Sequence, residues 1–208
     1  MARPRAFDYE QVVAAAKEVF WDGGYEGTSV NDLEHGTGLN RSSLYRTFET
    51  KLGLFQAALD EYEHGFIDVM LGPVEAEGAG LEDAAGFFRA LADLFGDPKS
   101  ERGCLQINSI TELAGRVPPL AHRGAQFADR YRSAFAHALG ATATTGTTDN
   151  DTIVQRAELL ASAAMGAWVA VRADHEAAAR TCLAVAAQIE PWARPVRGGR
   201  TRPRAQGR

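Results

Sequence analysis

Residues 24–59 read GYEGTSVNDLEHGTGLNRSSLYRTFETKLGLFQAAL, and the punctuation inside this run decides the fold. Thr28-Ser29 opens a short helix: Ser29, with Asp32 three residues on, makes a box-like N-cap, and Val30 and Leu33 point inward. That helix ends near Gly36. The turn Thr37-Gly38-Leu39 leads to Asn40, which caps a further helix holding Leu44, Tyr45 and Phe48. Two short helices joined by a glycine-containing turn are a helix-turn-helix unit, with Leu33, Leu39, Leu44 and Phe48 holding their angle.

Working outward, Val12, Val13, Ala16, Val19 and Phe20 mark one face of a helix over 9–21, capped by Asp8 and stopped by Gly23-Gly24. Downstream, Leu54, Phe55, Ala58, Leu59, Tyr62, Phe66, Val69 and Met70 form the stripe of a helix over 51–71, with Gly72-Pro73 as its expected end. Helices over 81–95, 104–114, 120–139, 152–172 and 174–189 follow, separated by Gly- and Pro-bearing turns. The segment 141–151, mostly Thr, Ala and Gly, is expected to be an exposed connection. Strand-like alternation bounded by hairpin turns is absent from the sequence, so the reading is all-α.

Composition narrows the class. The 208 residues are 45% hydrophobic and 24% charged, with a net charge of −5, which excludes disordered, collagenous and coiled-coil chains. No apolar run approaches the roughly 18 to 20 residues of a membrane span and the N-terminus lacks a secretory apolar region, so a cytoplasmic protein without membrane contact is expected. Cys104 and Cys182 lack partners at metal-ligand spacing, and the five histidines form no catalytic or metal motif. No enzyme, metal or cofactor is therefore expected; the pair Asp60/His64, which could seat a metal only with distant help, reads as a surface or pocket-edge pair. The tail after Trp192 carries six arginines with no acidic residue and reads as disordered.

The helix after Asn40 exposes Arg41, Ser42, Ser43, Tyr45, Arg46 and Thr47, with no carboxylate before Glu49. Donors, hydroxyls and an aromatic suit the DNA major groove, where Arg pairs with guanine and Ser or Thr contacts base or phosphate. Residues 1–53 nevertheless hold six basic against eight acidic side chains, so placement, not bulk charge, carries this reading. For Tyr45 the alternative is packing beneath the helix.

The run resembles the N-terminal domain of TetR/AcrR-family transcriptional repressors at Gly24, Tyr25, Thr28, Ser29, Gly38, Leu39, Leu44, Tyr45, Phe48, Lys51 and Leu54. Glu34-His35-Gly36-Thr37 stands where small alanines are usual. The resemblance implies a helix-turn-helix DNA-binding domain over 1–53, an effector-binding and dimerisation domain over 54–192, and the tail 193–208. It implies base contacts by Arg41, Ser42 and Ser43, base or backbone contacts by Tyr45 and Thr47, and phosphate contacts by Thr28, Ser29 and Lys51. Arg3 and Arg5 are further candidates for a flanking groove.

In the larger part, 102–114 (RGCLQINSITELA) resembles a pocket-lining helix of one branch of the family, with polar groups among apolar ones as a small-molecule site requires. Candidate ligand contacts are Phe66, Phe88, Cys104, Asn108, Glu112, Phe127, Tyr131 and Trp168, each aromatic having core packing as its alternative. Cys104 is either a reactive thiol at a helix start beside Arg102 or a buried hydrophobe. In the last two helices the stripe Ile153, Ala157, Leu160, Ala161, Ala164, Met165, Trp168 and Val171 suits either a two-fold four-helix interface or the domain's own core. Together these point to a homodimeric repressor that binds a double-stranded DNA operator and is released by a small-molecule effector. A ligand or thiol sensor without specific DNA binding is the alternative.

Overall fold

The computed structural model describes residues 7–143 and 149–193. Helix α1 spans Tyr9–Gly27, and the Asp8 carboxylate caps it by accepting from the amides of Glu10 and Gln11 at 3.0 and 3.3 Å. Val12, Val13, Ala16 and Phe20 are its buried face. The expected glycine stop is real but brief. Gly24, at φ 69° and ψ 175°, interrupts the helix, and a further turn runs to Gly27. Helices α2 (Val30–Thr37) and α3 (Arg41–Phe48) follow as the punctuation predicts. Each buries only its inward residues, Leu33 on α2 and Leu44 with Phe48 on α3.

The next helix crosses from this N-terminal unit into the larger helical body in three pieces: α4 (Lys51–Tyr62), a π-helical turn (Glu63–Ile67) and α5 (Asp68–Glu75). Pro73 does not end it. The helix continues to Glu75, because a proline leaves only the carbonyl four residues earlier without a partner, and that residue, Val69, is 69% exposed to water. Within the π turn Glu63 faces α8 (Pro118–Ala143), where its carboxylate accepts from Arg123 and from Arg130 at 2.8 and 3.5 Å. Arg130 also reaches Asp68 and Glu75, each at 2.7 Å, and the hydrogen bonds it donates to Glu75 and then to Asp68 hold its pKa above the ordinary guanidinium value.

Helix α6 (Leu81–Phe95), a 3-10 turn (Pro98–Arg102) and α7 (Leu105–Leu113) precede α8; α9 (Asn150–Ala170) and α10 (His175–Ile189) close the body. Helix α10 lies along α6, α9 along α8, and α1 along α4. The ring cluster Phe87, Phe88, Tyr131 and Phe135 fills the space between α6 and α8. Helix α8 extends to Ala143 and Asp149 caps α9, so both ends of the expected connection are helical or capping, and its middle, residues 144–148, lies outside the described residues. The tail beyond 193 and Arg3 and Arg5 lie outside them as well. Among the described residues no helix is long and apolar enough to cross a membrane.

The α9 stripe packs into the body's own core: Ala157, Leu160, Ala161, Ala164, Trp168 and Val171 are all buried. What α9 leaves outside is the opposite face, Leu159, Ser162, Gly166 and Val169, continued on α10 by Leu183 and Ala187. Leu159 is 60%, Val169 50% and Leu183 51% exposed.

Candidate nucleic-acid interface and effector pockets

Local chemistry fixes the helix-turn-helix. The Ser29 hydroxyl accepts from the Asp32 amide at 3.2 Å, and the Asp32 carboxylate accepts from the Ser29 amide at 2.8 Å, a complete capping box. The Ser29 hydroxyl donates to the same carboxylate at 2.6 Å, and these Ser29 bonds hold the Asp32 pKa below its usual value. Gly38, at φ 69° and ψ 7°, takes the left-handed turn and returns its amide to the Glu34 carbonyl at 3.0 Å.

The four residues that replace small alanines each find a use here. Glu34 accepts from the Arg41 amide at 2.6 Å and so caps α3 from outside, while Thr37 donates to the Leu33 carbonyl and accepts from Leu39. At Gly36 a Cβ would stand 2.3 Å from a Val19 methyl, so any larger residue there requires the Val19 side chain to turn aside. His35 bonds the Asn31 carbonyl at 2.6 Å. The bonds of Glu34 and Thr37 and the left-handed Gly38 together fix the turn.

On α3 the Asn40 side chain accepts from the Ser43 amide at 2.9 Å. Arg41, Ser42, Tyr45 and Arg46 are exposed, Ser43 and Thr47 half-buried. Tyr45 therefore points outward; its ring lies 5.6 Å from the Arg41 guanidinium, and Leu44 and Phe48 alone take the inward positions. Lys51, at the start of α4, holds its ammonium 4.4 Å from the centre of the Tyr25 ring. Between α3 and α4 the Thr50 amide bonds the Phe48 carbonyl at 2.7 Å across Glu49, which has φ 65° and ψ −50°, a strained three-residue turn.

Two of the expected phosphate contacts look different in three dimensions. Thr28 is buried, and its hydroxyl donates to the Gly24 carbonyl at 2.6 Å, tying off the end of α1; its side chain is not presented to a phosphate. Ser29 is exposed, but its hydroxyl proton is committed to Asp32.

The expected ligand contacts divide between two pockets and the core. A pocket of about 450 Å³ is lined by Phe66 and Trp168 together with Trp21, Leu94 and the turn 97–103. The turn supplies no regular periodicity, which is why the sequence did not mark it. Along the turn the buried Ser100 hydroxyl and Arg102 Nε have no hydrogen-bond partner. A second pocket, about 310 Å³, lies where α1 meets α7 and contains Asn108 and Glu112, with Asp22, Tyr25 and Arg172. Trp21 borders both; its indole donates to the Gly103 carbonyl at 3.1 Å, and Arg102 stacks on its ring while pairing with Glu18 and Asp22.

Phe88, Phe127, Tyr131 and Cys104 line neither pocket. Each is at most 3% exposed, and the three rings belong to the packing between α6 and α8. Burial pushes the Cys104 thiol up to about 11, the opposite of the lowered pKa and exposure that a reactive cysteine needs. Asp60 and His64 do not converge: His64 bonds the Asp60 backbone carbonyl, and the Asp60 carboxylate pairs with Arg123.

Comparison with known proteins agrees with this architecture. Residues 12–58, covering most of α1, all of α2 and α3 and the first part of α4, match the family model described as "Bacterial regulatory proteins, tetR family". The chain is 35% identical over 139 residues to the uncharacterized HTH-type transcriptional regulator YezE of Bacillus subtilis, covering 67% of this chain and 72% of YezE. It is 37% identical over 113 residues to the HTH-type transcriptional repressor ComR of Escherichia coli and spans 54% of that protein's length. The TetR family transcriptional regulator CifR, solved as a cysteine mutant with 26-bp double-strand operator DNA, superposes with a TM-score of 0.70 at 25% identity, covering 90% of this chain and 97% of CifR. A TetR-family regulator from Cytophaga hutchinsonii shares the fold at 19% identity and a TM-score of 0.72. The chain belongs to the TetR family of bacterial regulatory proteins, with an N-terminal helix-turn-helix and a larger helical C-terminal domain.

Proposed function

We propose that this protein is a homodimeric, cytoplasmic transcriptional repressor that binds a pseudo-palindromic operator and is released by a small molecule; it has no enzymatic role. The observation that carries the reading is the outer face of α3. Arg41, Ser42, Tyr45 and Arg46 stand exposed on a helix whose N-terminus is capped by Asn40 and Glu34, free of carboxylates along its length. CifR, at 25% identity, was solved on operator DNA, and ComR is named a repressor. Arg41, Ser42 and Ser43 meet base edges, Tyr45 and Thr47 base or backbone, and Lys51 a phosphate. Thr28 and Ser29 contribute through the backbone at the start of α2 and not through their hydroxyls.

Dimerisation uses the outer face of α9 and α10. Leu159, Gly166, Val169, Leu183 and Ala187 place small and apolar groups side by side, a surface that closes on itself about a two-fold axis. Two recognition helices then enter major grooves roughly 34 to 36 Å apart. The effector occupies the pocket bordered by Trp21, Phe66 and Trp168, whose aromatic walls suit a flat apolar molecule. It releases the operator to the extent that it prefers the conformer in which the groove spacing no longer fits.

The test is selection of the purified protein against random duplex DNA, sequenced at two salt concentrations. An enriched inverted repeat is the expected result. Salt-sensitive binding without enrichment refutes the operator reading.

A further inference from the structure

We propose that Glu112 is a positioning residue for operator binding: from α7 its carboxylate holds the turn that leads into α2 and so sets where Lys51 and α3 meet the DNA. This rests on the operator reading above. Gly24 breaks α1, and the turn that restarts at Tyr25 has amides with no acceptor within their own helix. Glu112 supplies both acceptors, one oxygen to each: Oε2 to the Tyr25 amide at 3.0 Å and Oε1 to the Glu26 amide at 2.7 Å, from 87 and 86 residues away. A carboxylate at the start of a helical turn is favoured by the exposed N–H groups and the helix dipole.

The clamped turn is rigid on its other side as well. The Thr28 hydroxyl closes it onto the Gly24 carbonyl, and the Tyr25 ring packs between Phe55, at 5.0 Å, and the Lys51 ammonium, at 4.4 Å. Position passes from Glu112 through Tyr25 to Lys51 by direct contact at each step. On its own side Glu112 is registered by α7, where Asn108 donates to the Arg102 carbonyl at 2.8 Å and accepts from Arg172. Gly24 beneath it takes a φ of 69° that favours glycine, and a Cβ there would stand 3.0 Å from Oε2, so a side chain would press the carboxylate aside by a few tenths of an ångström.

The experiment measures the affinity of the full-length protein for its selected operator by fluorescence anisotropy, for wild type, Glu112→Ala, Glu112→Gln and Lys51→Ala. Removing a negative charge from a bystander site strengthens binding to a polyanion. The clamp requires the reverse: about tenfold weaker binding in Glu112→Ala, an intermediate loss in Glu112→Gln, which keeps one acceptor, and a salt slope unchanged from wild type. The double variant Glu112→Ala/Lys51→Ala loses less than the two single losses combined. Amide exchange across 25–29 quickens in Glu112→Ala, while helicity and sedimentation stay as in wild type. If Glu112→Ala fails to fold, Glu112→Gln carries the same comparisons. Affinity equal to or above wild type, or unchanged exchange across 25–29, overturns the clamp alone. A wild type that selects no sequence refutes the operator reading instead.

Discussion

Replacing Gly24 by alanine separates backbone geometry from side-chain packing within a three-residue window. At φ 69° and ψ 175°, Gly24 occupies a region essentially closed to other residues, and forcing alanine into it costs about 1 to 3 kcal/mol. The new methyl also meets the Glu112 carboxylate, with Oε2 and Oε1 at 3.0 and 3.3 Å, which must give by a few tenths of an ångström and weakens its charge-assisted bonds by up to about 1.5 kcal/mol. Against this, alanine restricts the unfolded chain and returns about 0.4 to 1 kcal/mol. The net is a destabilisation of about 2 kcal/mol, a fall in Tm of about 4 to 8 °C for a chain of this size. Gly27 is the internal control. A Cβ there meets nothing within 4 Å and needs no left-handed φ, so Gly27→Ala is neutral or stabilising by a few tenths to about 1 kcal/mol. Urea unfolding followed by circular dichroism, at one fixed protein concentration because association contributes to apparent stability, reads both variants. Equal midpoints for the two would refute the argument from backbone conformation.

Four further outcomes are expected. Arg41→Ala weakens operator binding by about 1 to 3 kcal/mol and relaxes preference at one position, whereas Lys51→Ala weakens all sequences alike and lowers the salt slope by about 1; competition binding with single-base operator variants checks the difference. Glu49→Gly relieves the strained turn between α3 and α4 and raises stability by about 0.5 to 1 kcal/mol, and a lower urea midpoint would contradict the strain. Leu183→Glu places a charge in the apolar face of α10 and converts dimer to monomer in sedimentation, unless the face is not an interface. Cys104 has its thiol pKa raised to about 11, so its contribution is whole below the unfolded value near 9 and is lost as pH rises through the folded one; alkylation at pH 8 is then slow in the native protein and fast in urea, and equal rates would sink this reading.

The helix-turn-helix was legible because its determinants are local. Ser29, Asp32, Gly38 and Asn40 act within three or four residues of where they stand, and each makes the bond its spacing implies. Tyr45 could not be placed by periodicity alone, since a short helix offers two inward positions and Leu44 and Phe48 took both. Pro73 misled because the cost of a helical proline depends on whether water reaches the carbonyl four residues back, and exposure is a tertiary fact. The stripe on α9 had two equally apolar uses, and only the packing of α8 beside it decides which face is covered. The pocket around Trp21 and the 97–103 turn was invisible for a related reason: its walls come from segments some eighty residues apart, joined by bonds such as Trp21 to Gly103.

The π-helical turn at Glu63–Ile67 carries a consequence for how this chain can change over time. A π turn is an α-helix holding one residue too many, and each residue advances a helix by about 100°. The wider turn takes its five residues through nearly the rotation that four α residues would make, so deleting a single residue there restores regular α geometry with Asp68 and Glu75 still facing Arg130 and with Lys51 and α3 as they are. The N-terminal unit and the body behind it are thus joined at a place where one codon gained or lost is absorbed without reorienting either. Alignments of this chain with relatives are expected to need a one-residue gap there.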